Sequence, residues 1–342
     1  MAKVVTLGEI MLRLSPPSRE RFIQASNFEI NYGGGEANVA ASLSIFGHEV
    51  YYVTKVPDNE IGKAAIAALR RLNVKCDYVA RGGERLGIYY LENGESVRPS
   101  SVIYDREDSS ISKADVSDFD FDKIFNGVDL FHISGITPVL SKECSEITIA
   151  ALKSAKKNNV KVSFDLNYRA KLWKENIKEK QELMSSFMEY VDICFGNARD
   201  AAKVLGYKDK DIDFINGDYK ICINEENMKK VLEKYNFTYL ITTKRNSISA
   251  SDNGWSAAVY GNNKLYEGRE YDLHIVDRVG GGDAFAAGFL HGILSDKSME
   301  DSLEFAIAAA AIKHTIPGDI NYSTVDEVYN LVKSDGAGRV QR

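Results

Sequence analysis

The chain has 342 residues, and 43 Lys and Arg against 49 Asp and Glu give it a formal net charge of −6. Apolar residues make up 44% and charged residues 27%, which is typical of globular proteins and excludes a disordered, collagenous or coiled-coil chain. A mildly acidic surface repels phosphate backbones and anionic lipids, so we expect neither a nucleic-acid nor a membrane partner. A local cluster of Arg would still allow a small anionic substrate to bind.

Patterns of membrane insertion, secretion and disulfide bonding are not evident in the sequence. Its apolar runs fall short of the roughly 18 residues that a transmembrane helix needs, and Glu9 interrupts the run at the N-terminus. The four cysteines lie far apart without a CxxC pair, which indicates reduced thiols rather than disulfides or a zinc site. Together these features predict a cytoplasmic protein.

Short β-branched apolar runs alternate with helical patterns along most of the chain. The predicted strands are 3–7, 49–53, 130–133, 161–164, 193–195 and 239–242, and the predicted helices are 37–46, 61–72, 143–156, 197–205 and 228–235. Repeated strand–helix units predict an α/β fold with a doubly wound, mainly parallel sheet flanked by helices. Right-handed crossovers then place the carboxyl ends of the strands at one edge, where ligands bind.

Two segments interrupt this alternation. Residues 13–32 lack a helical pattern, and residues 87–104 form two β-rich runs joined at Asn93-Gly94, which favours a hairpin. We therefore expect a small β-sheet lid, built from 13–32 and 87–106, inserted in an α/β body formed by 1–12, 33–86 and 107–335. Residues 336–342 are expected to form a flexible tail.

The strongest motif lies late in the chain, where three glycines, Gly280, Gly281 and Gly282, precede Asp283 and a helical run. Glycines let backbone N–H groups converge on one point, and the following helix adds its positive end, so the motif predicts an anion site suited to phosphate. An acid there repels a bound anion unless it takes a proton from a hydroxyl that attacks phosphorus. The alternative is a glycine-rich helix start with an acidic cap.

A second glycine-rich motif, 31–38, opens the first long helix. Its glycines bring the backbone close to a neighbouring group, and Glu36 and Asn38 have side chains that can hydrogen-bond a polyol. The alternative interpretation is a loop that packs tightly beneath the helix.

The two motifs together resemble the signatures of the ribokinase/PfkB family of carbohydrate kinases. GGGEANVAASLSIFG followed by GKAAIAALRRLNV is similar to the first signature, and DRVGGGDAFAAGFLHG is similar to the second. The resemblance runs from about Val4 to Val332. Within the family, residues 98–100, 104–106, 132–137, 164–169 and 316–319 most resemble kinases of 2-keto-3-deoxygluconate, although fructokinases share several of these segments.

This resemblance implies a ribokinase-like fold and ATP-dependent phosphorylation of the terminal C6 hydroxyl of 2-keto-3-deoxygluconate or a related sugar acid. It implies ATP and Mg²⁺ as cofactors, leaves a monovalent cation open, and implies a homodimer formed through the β lid. The alternatives are a fructokinase-like kinase of a neutral sugar and a non-catalytic sugar- or nucleotide-binding regulator. A nicotinamide-dependent dehydrogenase is excluded because no GxGxxG turn follows the first strand.

The resemblance also assigns site residues. Asp283 is expected to be the catalytic base, with the N–H groups of Gly280, Gly281 and Gly282 forming the anion hole. The substrate side is expected to comprise Gly34, Gly35, Asn38, Tyr89, Tyr90, Tyr104, Arg106, Asn167, Arg169, Asp283 and Asp319. The nucleotide side is expected to comprise Asn197, Thr243, Lys244, Arg245, Gly280, Gly282 and Lys313. Asp200 takes the place of a family Glu tied to magnesium, so its contact with the metal is expected to be indirect.

Overall fold

A computed structural model describes residues 1–210, 213–216 and 223–334. The predicted flexible tail, 336–342, lies outside these residues, as does Cys222. The described part of the chain contains fourteen β-strands and ten α-helices, besides short 3₁₀ turns.

The strands are β1 Lys3–Leu7, β2 Met11–Ser15, β3 Glu29–Gly33, β4 Glu49–Val56, β5 Val79–Arg81, β6 Gly87–Glu92, β7 Ser101–Asp105, β8 Leu130–Ser134, β9 Lys161–Asp165, β10 Ile193–Phe195, β11 Tyr239–Ser247, β12 Asp252–Gly261, β13 Lys264–Glu267 and β14 Tyr271–His274. The helices are α1 Gly35–Ile45, α2 Glu60–Arg70, α3 Phe121–Ile124, α4 Lys142–Lys157, α5 Ile177–Phe187, α6 Ala198–Val204, α7 Glu225–Tyr235, α8 Gly281–Leu294, α9 Met299–Lys313 and α10 Val325–Lys333.

The main sheet has the strand order β13-β12-β11-β10-β9-β8-β1-β4-β5, with β14 paired to β12. The run from β11 to β5 is parallel throughout, and only β12, β13 and β14 pair antiparallel. All six predicted strands are present in this parallel run. The antiparallel edge was not predicted, because residues 252–274 carry no strand–helix alternation.

Apolar residues cover both faces of the main sheet. Val5, Leu7 and Phe131 belong to one buried cluster and Val4 and Val50 to another, and each of these side chains is fully buried. Strands buried on both faces read as continuous apolar runs, which is why the sequence predicted them well.

Strand order reverses at β1. The chain proceeds from β1 to β4 and β5 in one direction, and later from β8 to β11 in the other. Crossovers on the two sides of such a point diverge and leave a crevice beyond the carboxyl ends of the strands. The loops after β1 and β8 therefore border the natural ligand site of this sheet.

The lid is a separate sheet with the order β3-β2-β6-β7. The predicted hairpin is confirmed as the antiparallel pair β6–β7, but residues 93–100 join its strands rather than a two-residue turn at Asn93-Gly94. Gly94 packs against that loop, where a Cβ would lie 2.6 Å from the Arg98 carbonyl oxygen. The lid begins at Met11, two residues before the predicted start.

None of the helices in the described ranges is both long and apolar enough to cross a bilayer.

Candidate active site

A cavity of about 1340 Å³ lies between the lid and the carboxyl ends of the parallel strands. Its lining comes from the loops after β1, β9 and β10, from strand β11, from lid strands β6 and β7, and from the start of α8. The predicted site residues that line it are Gly34, Gly35, Asn38, Tyr89, Tyr104, Arg106, Asn167, Arg169, Asp200, Thr243, Arg245, Gly280, Gly282 and Asp283.

The glycine turn before α8 forms one end of the cavity. Gly280 has a φ of 79°, in the left-handed region, and a Cβ there would lie 1.9 Å from the Asp319 carbonyl oxygen, so only glycine fits. A Cβ on Gly282 would meet no atom within 4 Å, so this residue faces the open cavity. The turn thus presents its backbone and the positive end of a 14-residue helix to a ligand.

Gly281 differs from the expectation that all three glycines face the anion. Its N–H donates to the Arg278 carbonyl at 3.3 Å, and a Cβ there would lie 2.5 Å from the His314 ring. This glycine is needed for close packing of α8 against α9, while Gly280 and Gly282 line the cavity.

Asp283 lies in the first turn of α8, in a half-buried position. Asn38 Nδ2 donates to its Oδ2 at 2.7 Å. Gly35 lies close by, since a Cβ on it would be 3.8 Å from Asp283 Oδ1 and 3.9 Å from Asn167 Nδ2. Burial raises the pKa of Asp283 to about 6, while the Asn38 hydrogen bond and the charge of Arg169 oppose that rise. A carboxylate with this pKa is ionised at neutral pH and suited to accepting a proton.

A second acid, Asp165 at the end of β9, faces the same cavity. Burial raises its pKa to about 7, Arg169 lowers it, and the nearby charge of Asp283 adds to the rise. Its Oδ1 accepts the N–H of Asn167 at 3.0 Å, where the chain turns with a φ of 42°. This turn carries Arg169 to the cavity rim, and the Arg169 guanidinium donates to the Tyr168 carbonyl at 3.2 Å.

The lid side of the cavity is aromatic and cationic. The rings of Tyr89 and Tyr104, on neighbouring strands, lie 6.0 Å apart, and the Arg106 guanidinium lies 5.5 Å from the Tyr104 ring centre. Arg106 also forms an ion pair with Glu9, whose side chain is 3% exposed. Oε1 of Glu9 and Nε of Arg106 are buried without a hydrogen-bond partner among the residues described. A polar ligand would satisfy both atoms.

Glu9 was not among the predicted site residues, because it was interpreted only as a charge that interrupts the N-terminal apolar run. A charged side chain directly after the first strand, at the carboxyl edge of the sheet, was the signal that could have identified it.

Glu36 was expected to hydrogen-bond a polyol, but its carboxylate is occupied by protein. Oε1 accepts the N–H of Ser134 and the hydroxyl of Thr137, both at 2.9 Å. Burial raises the pKa of Glu36, although these hydrogen bonds act to lower it. Glu36 therefore holds the loop after β8 against α1.

Four other predicted contacts do not line the cavity. Tyr90 lies on the opposite face of the lid and packs against Phe28, with ring centres 6.1 Å apart. Lys244 forms an ion pair with Glu267. The remaining two are buried, since Lys313 donates to the Ile316 carbonyl at 2.9 Å and Asp319 accepts the Tyr89 hydroxyl at 2.6 Å.

Asn197 is likewise absent from the lining, because its side chain caps α6. It accepts the N–H groups of Arg199 and Asp200, and Asp200 Oδ2 accepts the N–H of Asn197 at 3.0 Å in return. Burial raises the pKa of Asp200. No cluster of three or more metal-ligating side chains occurs among the described residues. A divalent ion here would take most of its ligands from a bound phosphate compound and from water, as Mg²⁺ commonly does.

Comparison with known proteins first gives the class of fold. The structure of 2-dehydro-3-deoxygluconokinase from Thermotoga maritima is similar over 97% of this chain and 98% of its own, with 47% identity and a TM-score of 0.92. A candidate ribokinase II from E. coli, in complex with ATP and Mg²⁺, shares the fold at 19% identity, with a TM-score of 0.80 over 97% of this chain and 99% of that one. The fold is therefore ribokinase-like.

The family follows from the sequence comparisons. The model of the pfkB family of carbohydrate kinases matches residues 1–326. The 2-dehydro-3-deoxygalactonokinase of Haloferax volcanii is 32% identical over 98% of both chains. This chain belongs to the pfkB family of carbohydrate kinases, and it is a sugar kinase.

Proposed function

We propose that this protein transfers a phosphoryl group from ATP to the terminal C6 hydroxyl of 2-keto-3-deoxygluconate, also called 2-dehydro-3-deoxygluconate, or of a closely related sugar acid. The observation that carries the proposal is the half-buried Asp283 at the glycine turn, which accepts a hydrogen bond from Asn38 and lines the same cavity as Arg106 and Arg169. The relatives named for 2-dehydro-3-deoxy sugar acids support the substrate class.

The residues around the glycine turn divide the chemistry between them. ATP with Mg²⁺ supplies the phosphoryl group and neutralises part of its charge. Asp283 accepts the proton of the attacking hydroxyl, and Asn38 holds the carboxylate in place. The backbone of Gly280 and Gly282 stabilises the negative charge that develops on the transferred group. An intact, half-buried base beside the glycine turn favours a catalyst over a non-catalytic binding protein.

The substrate is proposed to lie between the lid and α1. Arg106 and Arg169 bind its carboxylate, since burying that group without a cation is costly. Glu9 Oε1 is a buried acceptor that requires a donor, and a sugar hydroxyl provides one. The rings of Tyr89 and Tyr104 pack against the carbon skeleton.

The nucleotide is proposed to bind beside β11 and the glycine turn. Thr243, Arg245 and Arg278 line that part of the cavity and suit a polyphosphate. Asp200 also lines the cavity, and it is proposed to contact Mg²⁺ through water. The family resemblance leaves a requirement for a monovalent cation open. Measuring activity with K⁺ replaced by a bulky organic cation tests it. An ATP-dependent sugar kinase is expected to act in the cytoplasm.

An ADP-release assay across sugar acids and neutral sugars tests the proposed function. We expect 2-keto-3-deoxygluconate or its galacto epimer to be used best. The alternative is a fructokinase-like kinase, which one observation favours: Arg106 is already paired with Glu9 and so carries less free charge for a carboxylate. Preference for fructose over every sugar acid would establish that alternative.

The raised pKa of Asp283 predicts the pH dependence of activity. Only the ionised base accepts a proton, so kcat/KM should fall as pH decreases through about 6, and through a somewhat higher value if Asp165 titrates with it. The charged groups facing Asp283 are Arg169, Asp319, Lys313 and Asp165.

Asn38→Ala is the matched variant for this profile. It removes a hydrogen bond that favours the ionised carboxylate, so it should move the acid limb to higher pH. The profile is measured as kcat/KM against pH. An acid limb near the ordinary pKa of a carboxyl group, about 4, would contradict the assignment.

We also propose a homodimer formed through the lid. One row of side chains, Ile30, Leu14, Tyr90 and Ile103, crosses all four strands on the face that carries Tyr90. Ile30 is 63% exposed and Ile103 is 52% exposed. Apolar rows of this size are commonly covered by another subunit.

Ile30→Glu tests the dimer, because it would bury two charges against an apolar face. We expect wild type to sediment as a dimer at micromolar concentration and the variant as a monomer. Ile248→Glu, at a site 70% exposed beyond the end of β11, is the control and should remain dimeric. A monomeric wild type would refute the proposal.

A further inference from the structure

A buried cation from the lid reaches the two acidic residues that flank the glycine turn. Arg13 lies on β2, and its side chain is 2% exposed. Its Nη2 lies 2.6 Å from Oδ2 of Asp277, and its Nη1 lies 3.2 Å from Oδ1 of Asp319. Its Nε donates to the Ser15 hydroxyl at 2.8 Å. A planar fork that joins two carboxylates is a geometry that Arg provides and Lys does not.

Asp277 in turn holds the backbone just before the turn and the backbone of the segment around Gly318. Its Oδ1 accepts the N–H of Val279 at 3.1 Å, and its Oδ2 accepts the N–H of Gly318 at 3.0 Å. The carbonyl of Asp319 lies directly behind Gly280, which has no room for a side chain. The position of the turn therefore depends on the position of these two acids.

Two cations and two anions are buried together at this point. Lys313 is fully buried. Burial lowers its pKa, while the charges of Asp277 and Asp319 oppose that change. Burial lowers the pKa of Arg13 as well, and the same two acids raise it to a value above its ordinary one. Tyr89, from lid strand β6, donates its hydroxyl to Asp319.

We propose that Arg13 is a positioning residue for phosphoryl transfer, which fixes the 280–282 turn relative to the lid by bridging Asp277 and Asp319. Buried ion networks are seldom more stable than well-packed apolar groups. The specific geometry of this one is therefore its main contribution, and that geometry places the anion hole. The inference rests on the proposed function, because it takes the turn to be the site that receives the transferred group.

Two variants of Arg13 separate charge from geometry. Arg13→Gln removes the charge and the fork, and Arg13→Lys keeps a charge that reaches one acid only. We expect Arg13→Gln to lower kcat by about 10²-fold, since misplacement of about 1 Å has such an effect. Arg13→Lys should recover part of that loss. KM for ATP and for the sugar should stay unchanged, because the anion hole acts on the transition state.

Arg98→Gln is the matched control. Arg98 is also a lid arginine in an ion pair, with Glu92 at 2.9 Å, and it donates to the Arg19 carbonyl at 2.8 Å, but neither partner touches the glycine turn. Its kcat should equal that of wild type. Thermal unfolding of all variants records any loss of stability separately from the loss of kcat.

A binding measurement tests the same role without turnover. ADP with fluoroaluminate imitates the transferring phosphoryl group, so wild type should bind ADP more tightly when fluoroaluminate and the sugar acid are present. Arg13→Gln should bind ADP alone normally and lose this enhancement.

Three results would overturn the role of Arg13: wild-type kcat in Arg13→Gln, a loss of kcat equal to that of Arg98→Gln, or a change confined to KM. If Arg13→Gln does not fold, wild-type kcat in Arg13→Lys overturns it, since one ammonium group cannot join both acids. A wild type that phosphorylates no sugar refutes the proposed function instead, and the fluoroaluminate titration then decides the role of Arg13. Absence of any enhancement in wild type refutes both.

Discussion

Asp283→Asn is expected to abolish most of the sugar kinase activity while nucleotide still binds. Asn keeps the shape of Asp and can still accept the hydrogen bond from Asn38, but it cannot take a proton from the attacking hydroxyl. Loss of general-base catalysis lowers a rate by about 10²–10⁴-fold. The measurement is kcat for ADP release, with ATP affinity from calorimetry.

Asp165→Asn is the control for this prediction. Asp165 is also a half-buried acid in the cavity with a raised pKa, so a loss caused only by removal of an acidic charge from the cavity would appear in both variants. We expect Asp165→Asn to retain far more activity than Asp283→Asn. Near-normal turnover of Asp283→Asn, or an equal loss in the two variants, would contradict the assignment of the base.

The second large effect is expected at the arginines that face the substrate carboxylate. A hydrogen bond to a charged group contributes roughly 1.5–3 kcal/mol, so Arg169→Ala or Arg106→Ala should lower kcat/KM for 2-keto-3-deoxygluconate by about one to two orders of magnitude. Fructose has no carboxylate, and its kcat/KM should change much less.

Arg169 gives the clearer result of the two. Arg106→Ala also leaves the buried Glu9 carboxylate without its cation, which costs stability as well as substrate affinity. Because Arg169 lowers the pKa of Asp283, its removal raises that pKa above the wild-type value of about 6. Both sugars should therefore be assayed near pH 8, where the base is still ionised.

Arg85→Ala is the matched control for the arginine variants. Arg85 forms an ion pair with Asp105 at 2.7 Å on the lid and does not line the cavity. The substrate preference of the Arg85→Ala variant should therefore equal that of wild type. Equal losses on both sugars in Arg169→Ala and Arg106→Ala would refute the role in carboxylate recognition.

Local pattern was enough to predict the parallel core, whereas most of the cavity lining was predicted from the resemblance to the family. The strands β1, β4, β8, β9, β10 and β11 contain short buried apolar runs, and the glycine turns at 34–35 and 280–282 have a direct steric cause. Sequence periodicity also predicted the lid hairpin. Successive side chains of a strand point to opposite faces of the sheet, and the sequence did not indicate which face of the lid would line the cavity. Tyr89 and Tyr90 are adjacent in sequence, but only Tyr89 lines the cavity.

Contacts between distant parts of the chain could not be predicted from one sequence. Arg13 contacts Asp277 and Asp319 across 264 and 306 residues of sequence, and nothing in the local pattern of 11–15 distinguishes a buried Arg from an exposed one. Asp319 was assigned to the substrate for the same reason, because its partners are fixed by tertiary packing. Helix α9 was not predicted, because its run of buried Ala and Ile residues shows no alternation of apolar and polar residues at the helical period.

Analysis of the reaction product by ³¹P and ¹³C NMR tests the central proposal most directly. With ATP, Mg²⁺ and 2-keto-3-deoxygluconate, we predict a single phosphate monoester whose phosphorus shows scalar coupling to the C6 carbon. The Asp283→Asn variant should not form this product. Phosphate on another carbon, or a product formed only from a neutral sugar, would contradict it.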